Sequence, residues 1–98
     1  GREKMIVRNG SRFDLSGPLT IATVSAWLRE SEALFAEDGV WELDLTGVDE
    51  VDSAAVSLLL EWARQAVQRG RQLQLRNLPE NLQCLLKVYD VQELLPAA

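Results

Sequence analysis

Between residues 40 and 45 the chain alternates apolar and polar side chains, Val40-Trp41-Glu42-Leu43-Asp44-Leu45, with the period of two that predicts a strand. A different period follows it. Val56, Leu59, Leu60, Ala63 and Val67 recur at helical spacing, which predicts a helix from about Ser53 to Arg69 with those five residues facing inward. Between the two elements runs a short polar stretch from Thr46 to Asp52. Both Asp52 and Ser53 are residue types that cap a helix by accepting a hydrogen bond from a free backbone N–H of its first turn. The junction is strand, polar loop, capped helix, and the other elements arrange themselves around it.

Upstream, Met5 to Arg8 is a short apolar stretch, and Asn9-Gly10 is a dipeptide that tolerates the positive φ of a tight hairpin. Arg12 to Ser16 alternates again, with Phe13 and Leu15 on one side, so two antiparallel strands are predicted. Gly17-Pro18 breaks the second strand. Thr20 or Thr23 then caps a helix with apolar positions Val24, Trp27, Leu28, Leu34 and Phe35, which stops near Gly39. Downstream, Gly70 ends the central helix and Gln72-Leu73-Gln74-Leu75-Arg76 alternates as a strand. A last helix opens at Pro79 or Glu80 with Leu82, Leu85, Leu86 and Tyr89 inward, before a tail at Leu94-Leu95-Pro96. The predicted order is β-β-α-β-α-β-α in one α/β domain over residues 1–98. Its four-stranded sheet is mixed, with a parallel core and an antiparallel N-terminal edge, and about three helices pack mainly on one face.

Composition narrows the chemistry. Of the 98 residues 47% are apolar, which predicts a folded chain, while no apolar run approaches the about 20 residues needed to cross a bilayer. Fifteen acidic against 10 basic residues give a net charge of −5, which disfavours nucleic acid as a partner. The local group Arg64, Arg69, Arg71 and Arg76 is read as a solvated face. Histidine is absent, and with it the commonest general base and metal ligand; Cys84 alone builds neither a zinc site nor an internal disulfide. A reducing cytoplasm is the simpler compartment, and Gly1 in place of Met, without a signal-peptide pattern, reads as a trimmed start. Asp44, Asp49, Glu50 and Asp52 lack the spacing of an oxygen-ligand loop. The chain also lacks a phosphate-binding glycine loop and a nucleophile beside a base, so no enzyme activity, cofactor or metal is expected.

The element order, Asp-Leu-Thr-Gly-Val at 44 to 48, the Val51-Asp52-Ser53 junction before a Leu-rich helix, and Leu-Leu-Lys-Val-Tyr at 85 to 89 together resemble a STAS domain from about Met5 to Leu95. Within that family the triple leucine at 58 to 60 and the Leu-Leu-Lys-Val-Tyr-Asp-Val segment look more like the small STAS subunit of the Mla-type phospholipid-transport ABC system than like bacterial anti-sigma factor antagonists. That resemblance implies a cytoplasmic, non-enzymatic accessory subunit. Such a subunit docks on the transporter's ATPase, supports its assembly and activity in maintaining outer-membrane lipid asymmetry, and meets the membrane only through the complex. The alternative is an anti-sigma factor antagonist that binds a kinase and is released by phosphorylation at Ser53, the position matching the family's phosphorylated residue. Regulatory members usually carry glycine at 54 or 55, where this chain has Ala54-Ala55, and alanine there favours the transporter reading and sets methyl groups on the surface.

On the central helix, Ala55, Leu58, Trp62 and Ala66 widen the apolar surface beyond one stripe. Either neighbouring helices cover the excess, or Leu58 and Trp62 belong to a partner-binding face, tryptophan being enriched at interface hot spots. The candidate interface is accordingly Asp52, Ser53, Ala54, Ala55, Ser57, Leu58, Glu61 and Trp62. Ser53 is either a plain cap or a switch. Trp27 and Trp41 are predicted core aromatics, Cys84 a small buried or half-buried residue, and Tyr89 with Lys87 either a partner contact or the anchor of the last helix.

Overall fold

A computed structural model describes residues 5–35, 40–91 and 95. Its elements run β1 (Ile6–Asn9), β2 (Arg12–Ser16), α1 (Val24–Leu34), β3 (Val40–Gly47), α2 (Ser53–Gln68), β4 (Gln72–Arg76) and α3 (Glu80–Val88). The four strands form one sheet in the order β1-β2-β3-β4. β1 pairs antiparallel with β2, and the β2–β3 and β3–β4 pairs are parallel, as the sequence predicts.

Strand order equal to chain order decides where the helices lie. Each parallel crossover steps the same way along the sheet, and right-handed crossovers stepping one way place all their helices on one face. Among the described strands none reverses the order, so they form no topological switch point. Phe13, Leu15, Trp41, Leu43, Leu45, Leu73 and Leu75 project into the helix layer and are buried there. The opposite face carries Arg12, Asp14, Glu42 and Arg76, joined in Arg12–Asp14 and Arg76–Glu42 ion pairs.

The centre of the helix layer is aromatic. The Phe35 ring stacks on Trp41 at 4.6 Å and meets Trp62 edge-on at 5.3 Å, and Trp62 meets Trp27 edge-on at 6.3 Å. Trp27, Trp41, Trp62 and Phe35 are all buried, so both predicted core tryptophans, Trp27 and Trp41, lie where expected. The polar ends of two are satisfied, with Trp27 Nε1 donating to the Pro18 carbonyl and Trp62 Nε1 to Ser31 Oγ.

Several local expectations shift. The β1–β2 turn is centred on Gly10 and Ser11, because Asn9 pairs with Arg12, and the positive φ falls on Gly10. Two helices end in the same hydrogen-bonded motif. Gly70 N–H reaches the Val67 carbonyl and Arg71 N–H the Ala66 carbonyl, while Asp90 N–H reaches Lys87 and Val91 N–H reaches Leu86. Asp90 takes at α3, with φ +57°, the left-handed conformation that Gly70 takes at α2 with φ +66°, a stop the sequence does not announce because aspartate is an uncommon choice there. Tyr89, predicted inward, is 51% exposed at the end of α3, where Leu82 and Leu86 are buried and Leu85 is half-buried. Cys84 is exposed, on the outer side of that helix, rather than buried or half-buried. Gly39, the Leu34 side chain, and Leu94 and Pro96 of the tail lie outside the described residues; Leu95 packs into the core. At the sheet's first edge, the Ile6 N–H is taken by a carboxylate oxygen of Glu30 on α1, 3.0 Å away. Among the described residues no helix is long and apolar enough to cross a membrane.

Candidate functional site

Asp52 fixes the junction. Its backbone is extended, and one carboxylate oxygen accepts the Ala54 N–H at 2.8 Å, the cap of α2. Its other oxygen accepts the N–H of Ile21 at 3.0 Å, across 31 residues of sequence. Two backbone links run alongside, Leu19 N–H to the Glu50 carbonyl at 2.8 Å and a parallel bridge between Leu19 and Val51. The segments before α1 and before α2 are thereby tied together at the strands' carboxyl ends. Ser53 is the first helical residue, exposed, and takes no part in the cap. Of the two capping residues the sequence offers, the structure uses Asp52.

The eight predicted interface residues divide. Ser53 and Ser57 are exposed, and Asp52 and Glu61 are half-buried. Ala54, Ala55, Leu58 and Trp62 are buried, at 8%, 0%, 2% and 0% exposure, and offer a partner nothing. The cause is position: α2 packs between α1 and α3 and over β4, so its flanks are covered as well as its underside. Val67, predicted inward, is instead 79% exposed. The methyl groups of Ala54 and Ala55 point into the protein and not onto the surface beside Ser53. Glu61 is engaged by its own helix, accepting from Arg64 and Gln65, which lowers its pKa to about 2. Solvent screens such a pair and makes it worth little to stability.

Sequence reasoning missed Ile21. It stands three residues before Val24 and reads as one more turn of the α1 stripe, yet α1 starts only at Val24. Thr23 holds the preceding turn, its hydroxyl accepting the Thr20 N–H and donating to the Pro18 carbonyl. That turn buries Leu19 and Thr20 and leaves Ile21 76% exposed.

On the sheet's open face, a shallow depression is lined by Arg12, Asp14, Ser16, Asp44, Thr46 and Gly47. Asp44 is buried, and both its oxygens are occupied: one accepts from the Thr46 N–H and hydroxyl, the other from Asn77. Asp14 lies directly across from it and accepts from Arg12 and Asn9. With every carboxylate oxygen held by at least one of the protein's own donors, Asp14 and Asp44 act as fasteners of the sheet. The Thr46 hydroxyl, ahead of the other bonds and against the opposing effect of burial, holds the Asp44 pKa below its ordinary value of 3.8. A carboxylate depressed in the folded state contributes stability that is complete above the unfolded pKa and lost as pH falls through the folded one. Melting of wild type and Asp44→Asn as a function of pH should therefore show the wild type more stable near neutrality, with the gap closing as pH drops below about 4. A gap that stays constant into that acid range would remove Asp44 from the acid-sensitive groups.

A family model described as "Mlab, STAS domain" matches residues 5–96. No curated protein matches the chain. A solved structure described as "Crystal Structure Analysis of Mglu" is similar, with a TM-score of 0.60 and 25% identity over 76% of this chain and 19% of that one. The chain thus corresponds to a small part of that protein, and the likeness is one of fold.

Proposed function

The chain belongs to the STAS domain family described as Mlab, and from that premise we propose that it is a non-enzymatic accessory subunit of a phospholipid-transporting ABC system. It docks on the cytoplasmic ATPase of the transporter and supports its assembly and activity. The match over residues 5–96 carries the reading. The exposed start of α2 supports it, because Ser53 and Ser57 stand on an outer ridge whose backbone is fixed by the Asp52 cap. A rigid, preformed surface binds without an ordering cost. The test is titration of the purified ATPase with wild type and Ser53→Arg. The added side chain should abolish binding without changing the melting temperature, since Ser53 is exposed and makes no cap bond. An ATPase that binds neither protein, or both equally, overturns the reading.

One observation favours a second reading. A serine freed from capping, exposed at the first position of a helix, is accessible to a kinase. A phosphate there would be stabilised by the helix N-terminus and repelled by Asp49, Glu50 and Asp52, a balance suited to an anti-sigma factor antagonist that lets go of its partner. Intact-mass measurement after incubation with a switch kinase decides it: one added phosphate located at Ser53 supports this second role.

A further inference from the structure

We infer that the partner-binding surface extends beyond α2 onto the segment before α1, with Ile21 as its apolar anchor and Asp52 as the residue that positions it. The inference rests on the docking reading above. Ile21 is a large apolar residue with 76% of its surface in water, and the backbone on both sides of it is hydrogen-bonded, Leu19 N–H to the Glu50 carbonyl and Thr23 N–H to the Thr20 carbonyl. Leu19 is fully buried, Thr20 nearly so, and the Ile21 N–H itself is bonded to Asp52. Most exposed apolar residues are incidental; this one is held outward by the same carboxylate that caps the helix opening at Ser53. Ile21 and Ser53 therefore belong to one fixed surface.

Charge specifies the occupant. The three connections into the helices, residues 17–23, 48–52 and 77–79, together with the helix-opening residues Ser53 and Glu80, hold Asp49, Glu50, Asp52 and Glu80 and no lysine or arginine. Arg76, just before the third connection, is paired with Glu42 on the sheet's open face. The complementary partner is an ATPase surface with an apolar socket for a β-branched side chain, rimmed by lysine or arginine.

The experiment is titration of the purified ATPase subunit of the same transport system with wild type, Ile21→Ala, Asp52→Asn, Val88→Ala and Ser53→Arg, at low and high salt. Val88 is an equally exposed valine at the opposite, carboxyl end of α3. Ile21→Ala should weaken binding at least about tenfold with an unchanged melting temperature, and Val88→Ala should leave it unchanged. Asp52→Asn cannot accept both N–H groups, so it should weaken binding and also speed hydrogen exchange at the Ile21 amide, a change that loss of a bare contact would not produce. Wild-type affinity should fall as salt rises. If Ser53→Arg blocks binding while Ile21→Ala binds as wild type, the anchor is overturned and the docking reading stands. If no variant changes binding, both fail. Self-association of the wild type that Ile21→Ala abolishes, with the ATPase titration untouched, would make the occupant a second copy and overturn the proposal.

Discussion

Trp62→Ala is expected to cost about 3–5 kcal/mol of folding stability, the range for emptying a fully buried large aromatic site. For a domain of this size that lowers the melting temperature by about 12 °C or more, and it removes a large share of the about 5–15 kcal/mol that such domains possess. The indole is the link between Trp27 and Phe35, and Phe35 in turn stacks on Trp41, so truncation opens a cavity against two rings and loosens the support of a third. It also leaves Ser31 Oγ without its donor in a site 1% exposed, although that hydroxyl keeps its bond to the Leu28 carbonyl. Trp62→Phe separates the two losses. It keeps most of the volume and removes the N–H, so it should fall well short of the alanine variant. Denaturant unfolding of all three proteins measures the difference, and a Trp62→Ala loss under about 1 kcal/mol would contradict the burial described for it.

Gly47→Ala is the second large effect, and it is unexpected for a residue on the surface. The β2–β3 register slips between Asp14 and Ser16, so that Ser16 comes to face Gly47. A Cβ added there would stand 2.8 Å from the Leu15 carbonyl oxygen and 2.8 Å from Ser16 Cβ. The first of these is backbone in the middle of the sheet and gives way only if the strands part. Overpacking of this kind costs about 1–3 kcal/mol, and melting temperature reads it directly. A variant that melts within about 1 °C of wild type would mean that the bulge absorbs a methyl group freely. Because β2 and β3 lead straight into the segments bearing Ile21 and Ser53, the same substitution should also weaken ATPase binding.

Strand and helix identities were legible because each rests on a short-range signal: alternation in Val40 to Leu45 and Gln72 to Arg76, and the three-and-four spacing of α2. The parallel and antiparallel senses of the pairs followed from where helices and where a tight turn separate the strands, whereas the side-by-side order β1-β2-β3-β4 is seen only in the fold. The width of a buried face was not legible. Periodicity reveals that Leu58, Trp62 and Ala66 are apolar, but which neighbours flank a helix is a property of the assembled layer. Half of the proposed interface was lost for that reason. The choice between Asp52 and Ser53 as cap was likewise open to sequence. Only the fold reveals that Asp52 has a second donor waiting at Ile21, and that bond brings into the site a residue distant in sequence.

The Glu30 contact at Ile6 bears on how this sheet ends. An outermost strand offers its spare amides to any passing extended peptide, and a side-chain acceptor seated on one of them makes that border a poor template. At the opposite border β4 is five residues long and carries Gln72, Gln74 and Arg76 at alternate positions, so little ribbon is left there for a stray chain to lengthen. A domain closed in this way at its first border and short at its last offers an extended peptide little backbone with which to pair.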